Sequence, residues 1–223
     1  MMKELINLKI AATLWYLVLI IISITGFDAI GQKDILVVLA HPNLEQSEVN
    51  SHYLSKLKSI KEVSINNLYK KYPDYNIDVA KEQELLISHD IIIFQFPLYW
   101  FSSPALLRKW QDDVITSAFS IGQNNKLKGK ELMIVTSVGG TKSDYRHGDL
   151  LNITIDEVLS PFEAFAHLTE MKYLSPFITY GVPNPKLLNI KMSTVEMNKR
   201  HQQIELRGDE LVNLIQNLLV NRN

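Results

Sequence analysis

Cysteine is absent from this 223-residue chain. That removes disulfide scaffolds, thiolate metal sites, iron–sulfur clusters and cysteine nucleophiles, and leaves the redox compartment open. Net charge is equally scarce: 23 basic side chains face 24 acidic ones, a formal charge of −1, which offers no general attraction to nucleic acid or to an acidic surface. The six histidines, at 41, 52, 89, 147, 167 and 201, never stand three to five residues apart, so no local zinc signature exists and no metal is expected. Neither GxGxxG nor GxxxxGK[ST] occurs after the first apolar run, which weakens the dinucleotide-fold and nucleoside-triphosphate readings. What the chain does have is apolar residues, 46% of the total, enough for one domain with a sizeable core.

One segment does not fit a soluble domain. Ile10–Ile24 reads IAATLWYLVLIIISI without a charge, after Lys3 and Lys9. It is long for a buried helix and short for a full span. Three readings stay open for residues 1–31: a secretory signal with small residues Ala29 and Gly31 at a cleavage point, an uncleaved anchor extended through Phe27, or an appended leader. The lysines favour an inside amino terminus. The domain proper is expected over 32–223.

After Lys33, short apolar runs alternate with amphipathic stretches. Strands are expected at 35–40, 63–65, 91–96, 132–137 and within 173–181. Runs 35–40 and 91–96 show little alternation, as parallel strands covered on both faces do. Val49, Tyr53, Leu54 and Leu57 form one helical stripe; Leu106, Leu107, Trp110, Val114 and Ala118 form another. Ser102-Ser103-Pro104 reads as a cap followed by a first-turn proline. Ser160-Pro161-Phe162-Glu163 and Ser193-Thr194-Val195-Glu196 have capping-box spacing, predicting helix starts at 161 and 194. The β-α alternation predicts an α/β fold with an open, doubly wound parallel sheet of five strands, preceded by an N-terminal apolar helix. Ligands of such sheets sit beyond the carboxyl ends of the strands.

Three loops lie there. The first, residues 40–50, offers His41, Ser47 and Asn50 around a helix start whose free amides favour a phosphate. Alone, Ser47 reads as a plain cap and His41 as a backbone-bonded loop residue. The second, Pro97-Leu98-Tyr99-Trp100-Phe101, places three aromatics where a turn would use Gly, Asn or Asp, a flat wall suited to a planar ring, with core packing as the plainer account. The third, Ser137-Val138-Gly139-Gly140 followed by Tyr145 and His147, lets backbone amides approach a polar edge, although a glycine pair after a strand is also just a turn. Together they describe a ligand with a phosphate tail and a flat polar head, which FMN matches.

The segments LAHPNLEQSEVN (39–50), NLYKKYPDYNIDVAKEQ (67–83), HDIIIFQFPLYWFSSPALLRKWQD (89–112), GKELMIVTSVGG (129–140) and SPFEAFAHLTEMKYLSPFITYG (160–181) resemble the flavodoxin-like NAD(P)H:quinone oxidoreductase family. Within it they resemble the branch of the ancillary flavoprotein of glutathione-gated potassium efflux systems. The resemblance implies a tightly bound FMN, NAD(P)H as electron donor, and a quinone or related small molecule as acceptor. It implies that His41, Ser47 and Asn50 hold the flavin phosphate, that Pro97, Leu98, Tyr99, Trp100 and Phe101 line the ring, and that Ser137, Val138, Gly139 and Gly140 meet its pyrimidine edge. Tyr145 and His147 are implied as the catalytic pair. The family often reads Thr-Thr-Gly-Gly where this chain has Ser137-Val138-Gly139-Gly140, so one hydroxyl is missing. The leader to residue 31 has no counterpart in the family pattern.

The resemblance also implies a homodimer and, as the alternative function, a regulatory flavoprotein docking on a potassium efflux protein. A one-electron flavodoxin fits less well, because the Ser/Thr-rich phosphate loop and strongly acidic surface are missing. Reduced nicotinamides are intracellular, which points to a cytoplasmic domain, membrane-associated if residues 10–27 anchor it, with export by the N-terminal segment left open.

Overall fold

The computed structural model describes residues 33–183 and 191–220; the apolar run at 10–24 and the helix expected there lie outside these residues. The chain lays down β1 (Ile35–Leu39), β2 (Val63–Asn67), β3 (Ile91–Pro97) and β4 (Glu131–Ser137), with two short strands, β5 (Lys172–Tyr173) and β6 (Phe177–Thr179), both beside β4. All pairings are parallel, in the order β2-β1-β3-β4-β5 with β6 also on β4. Helix α1 (Glu48–Leu57) follows β1, α2 (Leu68–Lys71) and α3 (Val79–Ile87) follow β2, and α4 (Ala105–Val114) and α5 (Ser117–Ser120) follow β3. Helix α6 (Ile155–Leu168) follows β4, and α7 (Thr194–Val220) comes last.

The strands read as unbroken apolar runs because each face has its own helical cover. Leu36, Val38, Ile92, Phe94, Phe96 and Ile134 pack against Leu86 of α3, Leu106, Leu107 and Trp110 of α4, and Val158, Leu159 and Phe162 of α6. On the other face, Ile35, Val37, Leu39, Ile91, Ile93, Met133 and Val135 meet Val49, Tyr53, Leu54 and Leu57 of α1 and Ile204, Leu211 and Ile215 of α7.

Four sequence expectations need correction. The fifth strand is two: β5 pairs with Glu131–Leu132 and β6 with Val135–Ser137, and Pro176 between them has no N–H to donate to the ladder. The second stripe does not reach Ala118. The Gln83 side chain donates to the Val114 carbonyl at 2.8 Å, taking the acceptor that a continuing helix would offer to residue 118, and Ala118 is exposed in the separate α5. Pro104 is the cap residue of α4 rather than its first helical residue, with no side-chain cap from the serines before it. Helix α6 starts at 155, not 161, on a capping box between Thr154 and Glu157. Pro161 is tolerated inside it because Ser160 Oγ donates to the Glu157 carbonyl at 2.8 Å, the acceptor that Pro161 cannot serve. The start of α7 at 194 is as expected, with Ser193 and Glu196 capping each other.

One buried carboxylate locks the helices of the first face. Glu82 is fully buried and accepts from Trp110 Nε1 (2.7 Å), Tyr72 OH (2.7 Å), Lys71 Nζ (2.6 Å) and Asn66 Nδ2. It ties β2, α2, α3 and α4 together, and α4 carries the aromatic loop at its start. Removing it strands a lysine and three polar donors, so Glu82→Leu should cost about 3 kcal/mol of stability, seen as a lower urea midpoint at unchanged slope. A loss under about 1 kcal/mol would contradict this role.

Candidate functional site

Because every strand is parallel, the loops after β1, β3 and β4 share one edge of the sheet. They enclose a cleft of about 240 Å³ lined by His41, Ser47 and Asn50 from the first loop, Pro97, Leu98 and Tyr99 from the second, and Ser137, Val138 and Gly139 from the third. Asn50 ties them together. Its Nδ2 donates to Ser47 Oγ (3.3 Å) and Ser137 Oγ (3.1 Å), and its carbonyl accepts from Gln95 Nε2 of β3 (3.1 Å). Ser47 also caps α1, accepting from Asn50 N at 3.1 Å. Each serine oxygen therefore receives from Asn50 and keeps its own hydrogen for a further acceptor.

The first-turn amides of Glu48 and Val49 at the cleft have no intrahelical partner. His41 is buried, and its Nδ1 accepts from Asn43 N at 3.1 Å, so the neutral ring carries its hydrogen on Nε2. Burial pushes its pKa from 6.5 down to about 4, which makes it an uncharged donor at neutral pH. Arg200 of α7 also lines the cleft, with Nε 2.6 Å from Glu48 Oε2 and its side chain only 10% exposed. Hydroxyls, amides, an imidazole N–H and a guanidinium that offsets Glu48 suit an oxyanion. Opposite them, Pro97, Leu98, Tyr99, Val138, Val182 and Pro183 provide an apolar wall.

Not every expected residue lies on this cleft. Trp100 and Phe101 have φ of 49° and 62°, and Tyr99 and Ser102 exchange two 3.0 Å backbone bonds around them. This is the tight two-residue turn that ordinarily takes Asn-Gly, so two aromatics there carry backbone strain. Trp100 is 93% exposed and Phe101 46%. Gly140 is not among the residues lining the cleft, and an added Cβ there would come within 3.2 Å of Tyr145 Cε2. Tyr145 is buried edge-on to Tyr180, centroids 5.9 Å apart. His147 is exposed, with Nε2 3.1 Å from Glu157 at the start of α6. Arg200, Val182 and Pro183 escaped the sequence reading; no local motif marks them, and only the packing of α7 on α1 brings Arg200 to Glu48.

The chain belongs to the flavodoxin-like fold family, whose model matches residues 33–200. Among curated relatives it is similar to the uncharacterized NAD(P)H oxidoreductase YrkL of Bacillus subtilis, with 45% identity over 71% of this chain and 91% of that one. It is also similar to the glutathione-regulated potassium-efflux system ancillary protein KefG of Enterobacter sp. (strain 638), with 41% identity over 66% and 80%. Among solved structures, general stress protein 14 of Treponema denticola in complex with FMN is 31% identical at a TM-score of 0.73, over 83% of this chain and 99% of that one. An NADPH-quinone reductase from P. pentosaceus is 30% identical at 0.66, over 85% and 99%.

The neutral, buried His41 sets a pH dependence. Between pH 6.5 and about 4 the unfolded chain binds a proton at this ring that the folded chain does not. Stability therefore falls as pH drops through that window and levels off below it. In urea unfolding without added ligand, the wild type should lose about 2 kcal/mol more than His41→Gln between pH 7 and 4.5. Parallel profiles would contradict the assignment.

Proposed function

We propose that this protein is an FMN-dependent NAD(P)H:quinone oxidoreductase. The observation that carries the proposal is the Asn50 bridge, which gathers anion donors from two loops against an apolar wall from a third. The donor set fits the cofactor: hydroxyls, helix amides and a guanidinium suit a phosphate, and Pro97, Leu98 and Tyr99 suit a flat ring. The NAD(P)H oxidoreductase, quinone reductase and FMN-bound relatives support the same reading.

When bound, FMN supplies the chemistry, accepting hydride from NAD(P)H and returning two electrons to a quinone. His41, Ser47 and Asn50 hold the phosphate, with Arg200 adding charge at the same end. Pro97, Leu98 and Tyr99 form the ring wall, and Trp100 and Phe101 extend it into solvent, where they suit contact with a second copy. Ser137 and Gly139 address the polar ring edge with a hydroxyl and an amide, and Gly140 supplies a second amide from beside the cleft; Val138, whose amide is given to the Thr179 carbonyl at 2.9 Å, adds an apolar contact. Burial raises the Tyr145 pKa, so the phenol keeps its proton at neutral pH and serves as a donor behind the glycine pair. His147, exposed with its Nε2 3.1 Å from Glu157 Oε2, is the second member of the proposed catalytic pair. We assign the domain to the cytoplasm, where its electron donor is found, with residues 10–27 as a means of membrane association.

The similarity to KefG favours a second reading, a regulatory flavoprotein docking on a potassium efflux protein. Quinone turnover by the purified chain without any effect on cellular potassium efflux supports the enzyme; the reverse supports docking. For the catalytic pair, Tyr145→Phe with His147→Ala should slow NADPH-driven flavin bleaching by about 10²-fold while the flavin stays bound. Unchanged stopped-flow rates would remove both residues from the mechanism.

A further inference from the structure

A groove of about 380 Å³ opens beside the cofactor cleft and shares Pro183 and Arg200 with it. Its far wall is one face of α7: Glu196, Lys199, Arg200 and Gln203 stand at helical spacings of three, four and seven. Lys191 faces them from the segment leading into the helix. The charges here are unevenly satisfied. The Glu196 carboxylate is committed to its cap, accepting from Ser193 N and Oγ at 2.7 Å each, and Arg200 is paired with Glu48. Lys191 and Lys199 have no hydrogen-bond or ion-pair partner among the described residues. In a chain whose charges nearly cancel, two ammonium groups without a partner among the described residues thus border a hollow that adjoins the cleft at Pro183 and Arg200.

Resting on the oxidoreductase reading, we propose that this groove receives the adenosine 2′-phosphate of the electron donor and makes the enzyme selective for NADPH over NADH. The nicotinamide must lie on the flavin ring to transfer hydride, so the remainder of the dinucleotide has to leave the cleft. Pro183 sits over Gly139, 3.7 Å from where a Cβ would be, and marks the boundary where cleft becomes groove. A dinucleotide leaving there enters the groove past Pro183 and reaches Lys191 and Lys199 with its terminal phosphate. Two lysines recognise a phosphomonoester dianion as point charges, and NADH has no such group.

Two measurements on the FMN-loaded full chain test this. In calorimetric titration, adenosine 2′,5′-bisphosphate should bind about tenfold tighter than AMP, and Lys191→Gln with Lys199→Gln should abolish the difference. The same double variant should raise the KM for NADPH about tenfold while leaving kcat, the KM for NADH and the flavin content unchanged. Equal affinity for the two nucleotides, or a preference that survives in the double variant, overturns the proposal. Failure of the cofactor reading shows separately, as a chain that does not take up flavin, and the nucleotide titration can still be run on that chain.

Discussion

The site depends on one carboxamide. Asn50 sits in the first turn of α1, yet its side chain reaches Ser137 at the end of β4, 87 positions along the chain, while its carbonyl is held by Gln95 of the intervening strand. These bonds are buried or nearly so, where an unmet polar group costs far more than a made bond gains. The loops after β1 and β4 are thereby held at a fixed separation, and Ser47 and Ser137 keep their hydrogens for a ligand. Parallel topology puts the loops on the same edge; Asn50 makes them one surface.

The rest of the molecule supports that edge in two ways. The two apolar faces, each with its own helices, fix the strand ends, and the Glu82 hub holds α4 through Trp110, so the helix that follows the aromatic turn is anchored in the core. The turn itself runs against ordinary preference, with Trp100 and Phe101 in left-handed backbone and largely in solvent. Arg200 completes the arrangement from α7, so the last helix serves as both core cover and charge donor.

Much of this could be read from residue order. The continuous apolar runs at 35–40 and 91–96 announced a two-faced parallel sheet, the helix stripe from Val49 to Leu57 lies where periodicity put it, and the cap at Ser193 lies where its capping-box spacing put it. His41, Ser47, Asn50 and Ser137 line one cleft because parallel topology places strand ends side by side. What could not be read depended on partners distant in sequence. The end of α4 is decided by Gln83, and the passage of α6 through Pro161 by Ser160, which made a false capping box at 160–163 look like a helix start. Arg200 had no signature beyond a helix, and neither the turn strain at Trp100 nor the burial of Tyr145 behind Gly140 leaves a local pattern.

The Asn50-bridged cleft is the proposed seat of FMN. The most direct measurement is the visible spectrum of the purified full chain, followed by heat release and identification of any chromophore. The expected result is a yellow protein that releases one equivalent of FMN, and an Asn50→Leu variant that is folded but retains little flavin. A colourless chain that fails to quench FMN fluorescence on titration would contradict it.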